Sequence, residues 1–274
     1  MRYLPSPIEL RGLGTDQLRA AFLVEDLFIP DEIILRAIDL DRVILGGAVP
    51  ISGPLPLQAT ALMAADYFTE RRELGVLNIG GQGSVGVAGA RYELAKDELL
   101  YIGRGHRDVV FASEAAAHPA CFYLVSYPAH TSFPVTRVTR AEADSEQLGS
   151  AERANLRYLS RYVHPGGPAS AQLVMGVTSM RPGSVWNTMP PHTHQRRTEV
   201  YLYYDLPDDA VVFHFLGEPT ETRSLVVRNR QVAVSPGWSI HAGCGTASYS
   251  FCWAMGGENQ VFADMQAVNM GALR

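Results

Sequence analysis

Residues 192–199 read His192-Thr-His-Gln-Arg-Arg-Thr-Glu199 and run straight on into Val200-Tyr-Leu-Tyr-Tyr204. On extended backbone, residues i and i+2 point to the same face, so His192 and His194 enter one cavity together. Glu199 stands five positions past His194, out of phase for one straight strand. A turn or bulge through Gln195 to Thr198 is needed to re-aim the chain, after which Glu199, Tyr201 and Tyr203 share a face. A fourth group follows Ser235-Pro-Gly-Trp-Ser-Ile240, in which Pro236 and Gly237 form a tight turn. His241 returns to the first pair only if the sheet closes, which makes a β-barrel the fold to expect.

The sequence on either side has the same character. Runs at Leu74 to Ile79, Val109 to Phe111, Phe122 to Val125, Val200 to Tyr204, Val211 to Phe215, Leu225 to Val227 and Val232 to Val234 are β-branched or aromatic. Gly, Pro, Asp and Asn turns separate them, the pattern of an antiparallel sandwich or barrel. Helical spacing of apolar residues marks Thr15 to Phe28 as a helix. The polar segment from Arg140 to Ser170 reads as a helical connection followed by a turn, with Arg157 and Arg161 four apart on it, a spacing that suits a solvent-facing stripe but could also reach a site in a neighbouring domain.

Two halves of the chain can be laid over each other. Asp66-Tyr-Phe-Thr-Glu-Arg-Arg-Glu73 before LGVLNI has the shape of His192 to Glu199 before VYLYYD, and Leu100 to Gly105 before HRDV has the shape of Val232 to Gly237 before WSIH. A repeat of this length means two similar β units. Where the second has His192, His194 and His241, the first has Asp66, Phe68 and Val109; Glu73 alone persists. The expected organisation is an amino-terminal β unit over residues 1–145 without the ligands, a linker over 146–170, and a ligand-bearing unit with tail over 171–274.

Composition excludes several functions. A chain of 274 residues with 47% hydrophobic content buries a large core, and a net charge of -5 with 23 scattered Lys and Arg gives no attraction to nucleic acid. No run approaches the ~18 apolar residues of a membrane span, and the start MRYLPSPIELRG lacks a secretory pattern, so a cytoplasmic protein is expected. Cys121, Cys244 and Cys252 form no CxxC pair and read as small core residues.

Three imidazoles and one carboxylate suit a borderline divalent ion such as zinc, with iron, manganese and nickel chemically acceptable. One or two coordination positions would stay open to water or substrate, the arrangement of a catalytic site. Arg196 and Arg197 are adjacent and cannot both face inward on extended chain; Arg197 is favoured as the inward one. Tyr201 shares the phase of Glu199 and could donate to a substrate oxygen, whereas Trp186, Trp253 and Met255 could line the pocket.

HxHxxxxE with PGxxxH resembles the paired metal motifs of the cupin superfamily, small β-barrels with three His and one Glu on a metal. A closer resemblance covers nearly the whole chain. YFTERRELGVLNIGG, YIGRGHRDVVFAS, VWNTMPPHTHQRRTEVYLY, ETRSLVVRN, SPGWSIHAGCGT and GENQVFADM are similar to the 5-keto-4-deoxyuronate isomerase family. This likeness implies an all-β bicupin, with two antiparallel jelly-roll units and a few short helices. It implies one zinc per chain on His192, His194, Glu199 and His241, a hexameric assembly, and a small uronate substrate from pectin breakdown. The reaction implied interconverts 5-dehydro-4-deoxy-D-glucuronate and 3-deoxy-D-glycero-2,5-hexodiulosonate through an enediolate, with Glu199, Tyr201 and Arg197 as the candidate catalytic residues. A metal-dependent cupin dioxygenase and a non-catalytic sugar-binding bicupin are the competing expectations.

Overall fold

The computed structural model describes residues 1–261 and 264–274. Its contacts divide the chain into two compact units, one of Met1–Arg2, Asp26–Asp144 and Tyr162–Met175, the other of Tyr3–Glu25, Ser145–Arg161 and Gly176–Arg274. Strand dominates both, as the alternation of β-branched residues and turns requires, and the α-helices among the described residues are Pro7–Leu10 and Thr15–Phe22. The second helix stops earlier than its apolar spacing suggests. Leu23 and Val24 leave it to pair with Ala233 and Val232, and sheet hydrogen bonds override the local helical preference there.

In the first unit a sheet runs in the order Thr136–Val138, Leu99–Ile102, Arg72–Asn78, Phe122–Pro128, Ile44–Ala48, Ile33–Ala37. A second runs Leu55–Pro56, Val110–Ser113, Gly83–Val87, Ala90–Leu94. Leu74, Val76, Leu100, Ile102, Phe122 and Leu124 of the one meet Val85, Val87, Leu94 and Phe111 of the other in a single apolar core. Phe68 and Val109, standing where the sequence repeat sets ligands in the other half, lie in that core at 2% and 3% exposure. Asp66 is exposed on the surface.

Glu73 corrects the repeat in one respect. It adjoins Leu74, and since neighbouring strand residues point to opposite faces, a chain with Leu74 and Val76 in the core turns Glu73 away from it. Its carboxylate, fully buried, accepts from the Tyr101 hydroxyl at 2.8 Å and from the backbone N–H of Ala171, Gln172 and Leu173 at 2.7 to 2.8 Å. Glu73 thus ties a loop to its sheet and offers nothing to the interior of its unit.

The second unit holds the longer sheet, in the order Leu23–Val24, Gln231–Ser235, Arg197–Tyr204, Ser250–Gly257, Val174–Met180, Arg157–Val163, Asp144–Leu148. A four-stranded sheet of Trp186–Asn187, Ala242–Gly245, Val212–Glu218 and Glu221–Val227 and a two-stranded pair of His192–Thr193 with Gln266–Ala267 complete it. The expected helical connection between 140 and 170 contains no helix and instead carries two strands, Asp144–Leu148 and Arg157–Val163, joined by turns. Arg157 and Arg161 share a face as the spacing implied, but it is a strand face and not a helical stripe.

Because Glu73 satisfies one hydroxyl and three backbone donors, Glu73→Ala is expected to destabilise the protein by about 3 kcal/mol or more. Metal content per chain should not change. An unaltered unfolding midpoint would show that these hydrogen bonds contribute nothing net.

Candidate metal centre

Each ligand is positioned by a short local device. His192 and Thr193 pair with Ala267 and Gln266, which aligns the first imidazole. The chain then turns at Gln195 and Arg196, closed by a hydrogen bond from Arg197 N–H to the His194 carbonyl at 3.1 Å, tighter than the bulge expected through Thr198. Arg197 opens the strand that sets Glu199 opposite Ser235 on one side and Met255 on the other. His241 follows a turn closed by Ser239 N–H to Pro236 O at 2.9 Å. At Gly237 an added Cβ would press to 3.0 to 3.1 Å of the carbonyl oxygens of His194, Gln195 and Arg197. Only glycine lets the two ligand-bearing turns approach this closely.

The four side chains converge. Their ligand atoms all lie within 4.8 Å of one another, with His192 Nε2 2.9 Å from His241 Nε2, His194 Nε2 2.9 Å from Glu199 Oε2, and His241 Nε2 3.2 Å from the same oxygen. Atoms about 2.1 Å from a common ion stand roughly 3 to 4.2 Å apart, so the cluster is close to the spacing a shared divalent cation requires. The protonation pattern agrees. His194 Nδ1 faces the Arg197 carbonyl at 3.0 Å and must donate to it, leaving its Nε2 lone pair aimed at a carboxylate. Two acceptors at that distance repel unless positive charge lies between them.

Burial pulls the His192 imidazole down to about 4, against the attraction of Glu199, and drives His241 well below the ordinary range. Both are neutral at physiological pH, the form that binds a metal. Burial acts on His194 in the same sense, but the hydrogen bond and charge of Glu199 and the Arg197 carbonyl outweigh it and raise this imidazole. The group that holds positive charge most readily therefore sits beside the carboxylate, where a cation is called for.

A cavity of about 480 Å³ opens over the cluster, within the range of small-molecule sites. Tyr201, 3% exposed, lines it beside Glu199; burial and the Glu199 charge push its hydroxyl well above its ordinary pKa, so it keeps its proton. Tyr203, on the same face, is fully buried with its hydroxyl 2.8 Å from His214 Nδ1. Trp253 and Met255 line the cavity, and Gly176 leaves room for the indole: a Cβ there would fall 2.2 Å from Trp253 Cζ2. Trp186 lies elsewhere, stacked on Phe215 at 6.0 Å.

Arg197 lines the cavity, but its guanidinium is already engaged by Asp264 and donates to Met255 Sδ at 3.1 Å. The opposite wall is formed by Glu146, Leu148, Arg157, Leu159 and Arg161: the two arginines do reach the site, the alternative expected for them, while Glu146, Leu148 and Leu159 were missed by sequence reading.

Fold and site together define a cupin whose three-histidine, one-glutamate cluster could hold a metal. The chain belongs to the KduI/IolB family, whose model matches residues 48–270. The 4-deoxy-L-threo-5-hexosulose-uronate ketol-isomerase of Opitutus terrae is 50% identical to it over 278 residues, spanning 100% of this chain and 99% of that protein. Its counterpart from Lachnoclostridium phytofermentans is 49% identical over 274 residues, again 100% and 99%. Among solved structures, an IolB-like protein from Salmonella typhimurium LT2 shares the fold with a TM-score of 0.72 at 15% identity, covering 90% of this chain and 96% of its own. Oxalate decarboxylase from Bacillus subtilis does so with a TM-score of 0.57 at 11% identity, covering 90% and 78%.

His194→Ala is expected to remove bound metal, read by elemental analysis of purified protein, while the β-type circular dichroism persists. The unsubstituted protein should carry one ion per chain. Full metal occupancy in the variant, or two ions in the parent, would contradict the four-ligand site.

Proposed function

We propose that the chain is a ketol-isomerase that interconverts 5-dehydro-4-deoxy-D-glucuronate and 3-deoxy-D-glycero-2,5-hexodiulosonate in pectin and uronate breakdown. The observation that carries this is the intact ligand cluster opening on a cavity of small-molecule size, in a chain about half identical over its full length to proteins named for that reaction. The aldehyde at C1 becomes a ketone at C2, so a proton leaves C2, an enediolate forms, and a proton arrives at C1.

His192, His194, Glu199 and His241 would hold the ion, for which zinc fits the borderline donor set. When bound, it supplies a Lewis acid for charge developing on substrate oxygen. The chain's own groups do the rest. The proton in transit must be held beside C1 and C2, and Glu199 and Tyr201, which both line the cavity, are the groups that would hold it. Tyr201, protonated by virtue of its burial, is the donor available to a substrate oxygen. Arg197 acts as a positioning residue: its carbonyl fixes the His194 tautomer and its guanidinium anchors Asp264. Phe251, Trp253, Met255 and Met265 give the cavity apolar walls that exclude water from the enediolate.

On this reading the first unit is a cupin without ligands, filled by Phe68 and Val109 and retained as scaffold. The protein would be a cytoplasmic homohexamer; the exposed pair Phe213 and Val226, opposite each other on the outer sheet, supports self-association. Nothing in the cluster favours a dioxygenase or a mute sugar-binding protein over the reaction of its relatives.

Activity on the ketouronate, followed by conversion of aldose to ketose, tests the assignment directly. Tyr201→Phe should keep metal content and lower kcat roughly 100-fold or more. A variant with unchanged kcat would remove Tyr201 from the chemistry, and a metal-loaded parent protein that leaves the ketouronate untouched would refute the function.

A further inference from the structure

Three guanidinium groups line the cavity, and they differ in how they are neutralised. Arg197 is engaged by Asp264 and Arg161 by Glu146. Arg157 donates from Nη1 to the Asn155 carbonyl at 2.8 Å and, among the described residues, has no carboxylate partner. Building on the isomerase reading, we propose that Arg157 recognises the carboxylate of the uronate and fixes which end of the substrate meets the metal ligands.

The sheet order gives the geometry. Strands Arg197–Tyr204, Ser250–Gly257, Val174–Met180 and Arg157–Val163 lie side by side, so Glu199 and Arg157 project from strands three spacings apart. At about 4.8 Å per spacing the two strands stand roughly 14 Å apart laterally. Register adds an offset along the strands: Tyr204 pairs with Ser250, Ser250 Oγ bonds Ser179 Oγ, and Arg181 N–H donates to the Leu156 carbonyl, so Arg157 faces the cavity from the Tyr204 end of the sheet and Glu199 from the other. The strand turns Arg157, Leu159 and Arg161 to the same face, and all three line the cavity.

Charge selects among the three cations. An incoming carboxylate at Arg161 would meet the Glu146 carboxylate that already occupies it, and at Arg197 it would have to displace Asp264 from a guanidinium only 1% exposed. Arg157 presents neither obstacle. Half-buried, its guanidinium carries a desolvation cost, seen as a lowered pKa caused mainly by burial, that no carboxylate offsets in the free protein. A planar fork with unused N–H donors matches a carboxylate bidentately.

The test separates this assignment from the reaction itself. A six-carbon 4-deoxy-5-ketouronate reduced to the alcohol at C1 cannot isomerise, and its C6 methyl ester lacks the anion. Calorimetry of both on the metal-loaded full chain gives an acid-over-ester preference in binding. In Arg157→Gln that preference should fall roughly tenfold to a hundredfold, with metal content unchanged, while Arg157→Lys keeps part of it. The lysine variant also serves if the glutamine variant fails to fold, since loss of the bidentate fork alone should lower the preference several-fold. An undiminished preference in the variants, or none in the parent protein, overturns the assignment. A parent protein that prefers the acid through Arg157 yet does not isomerise the ketouronate would sink the isomerase reading and leave the carboxylate site standing.

Discussion

The second unit is organised around a repulsion that must be neutralised. Three imidazole nitrogens and a carboxylate oxygen, all electron-pair donors, are held at about 3 Å from their nearest neighbours in a place where water cannot screen them. Isolated, each would prefer to turn away; the backbone does not let them. The tight turn at Gln195–Arg196, the close approach allowed by Gly237 and the pairing of Glu199 with Ser235 and Met255 fix four side chains before any ion arrives. That preorganisation costs stability in the absence of positive charge, and it makes cation binding favourable. His194 shows the balance most directly, since it alone of the three imidazoles is pushed toward the protonated form.

The first unit shows what the same kind of sheet does when it has no such demand. Its interior is closed by apolar side chains, among them Phe68, Leu74, Val76, Val109 and Phe111. The single carboxylate that survives the comparison, Glu73, sits one residue out of phase with the apolar face. In a strand one residue is the whole difference between inside and outside. Glu73 accordingly became a structural anchor for residues 171–173, and chemistry is confined to the other unit.

How much of this was legible in the sequence follows from which interactions are local. HTHQRRTE and PGWSIH announce themselves because the spacing of ligands on a strand is a local property, and the closure of the barrel then follows from the need to bring His241 back. The wall carrying Arg157 and Arg161 was misread for an equally physical reason. Residues i and i+4 lie on one face in a helix and in a strand alike, so the spacing of the two arginines could not discriminate, and the surrounding polar residues favoured helix. What decided the matter was pairing with Val174–Met180 and Asp144–Leu148, a tertiary fact. The same holds for Asp264, whose contact with Arg197 spans 67 positions, and for the early end of the helix at Phe22, set by a partner strand more than 200 residues away. Face assignment for Glu73 failed on phase, which a sequence repeat alone does not fix when turn lengths differ between halves.

The arrangement of charge across the cavity has a consequence for selectivity. At one end lie three imidazoles and a carboxylate that together call for a cation; at the other stand two guanidiniums and one carboxylate, leaving a single positive charge unspent. The walls Leu148, Leu159, Phe251, Trp253 and Met255 are apolar, and the polar groups that share the lining, Thr178, Thr188 and Tyr201, are uncharged and do not compete with Arg157 for a carboxylate. An elongated acid with an oxygen-rich head and an anionic tail can satisfy both ends only one way round. A neutral sugar would fill the same volume but leave the cation at the far wall desolvated and unpaired, and that penalty discriminates against it. Selectivity of this kind needs no close fit along the carbon chain. It needs only that the two ends stay a fixed distance apart, and the hydrogen-bonded strands between Glu199 and Arg157 provide that rigid spacing.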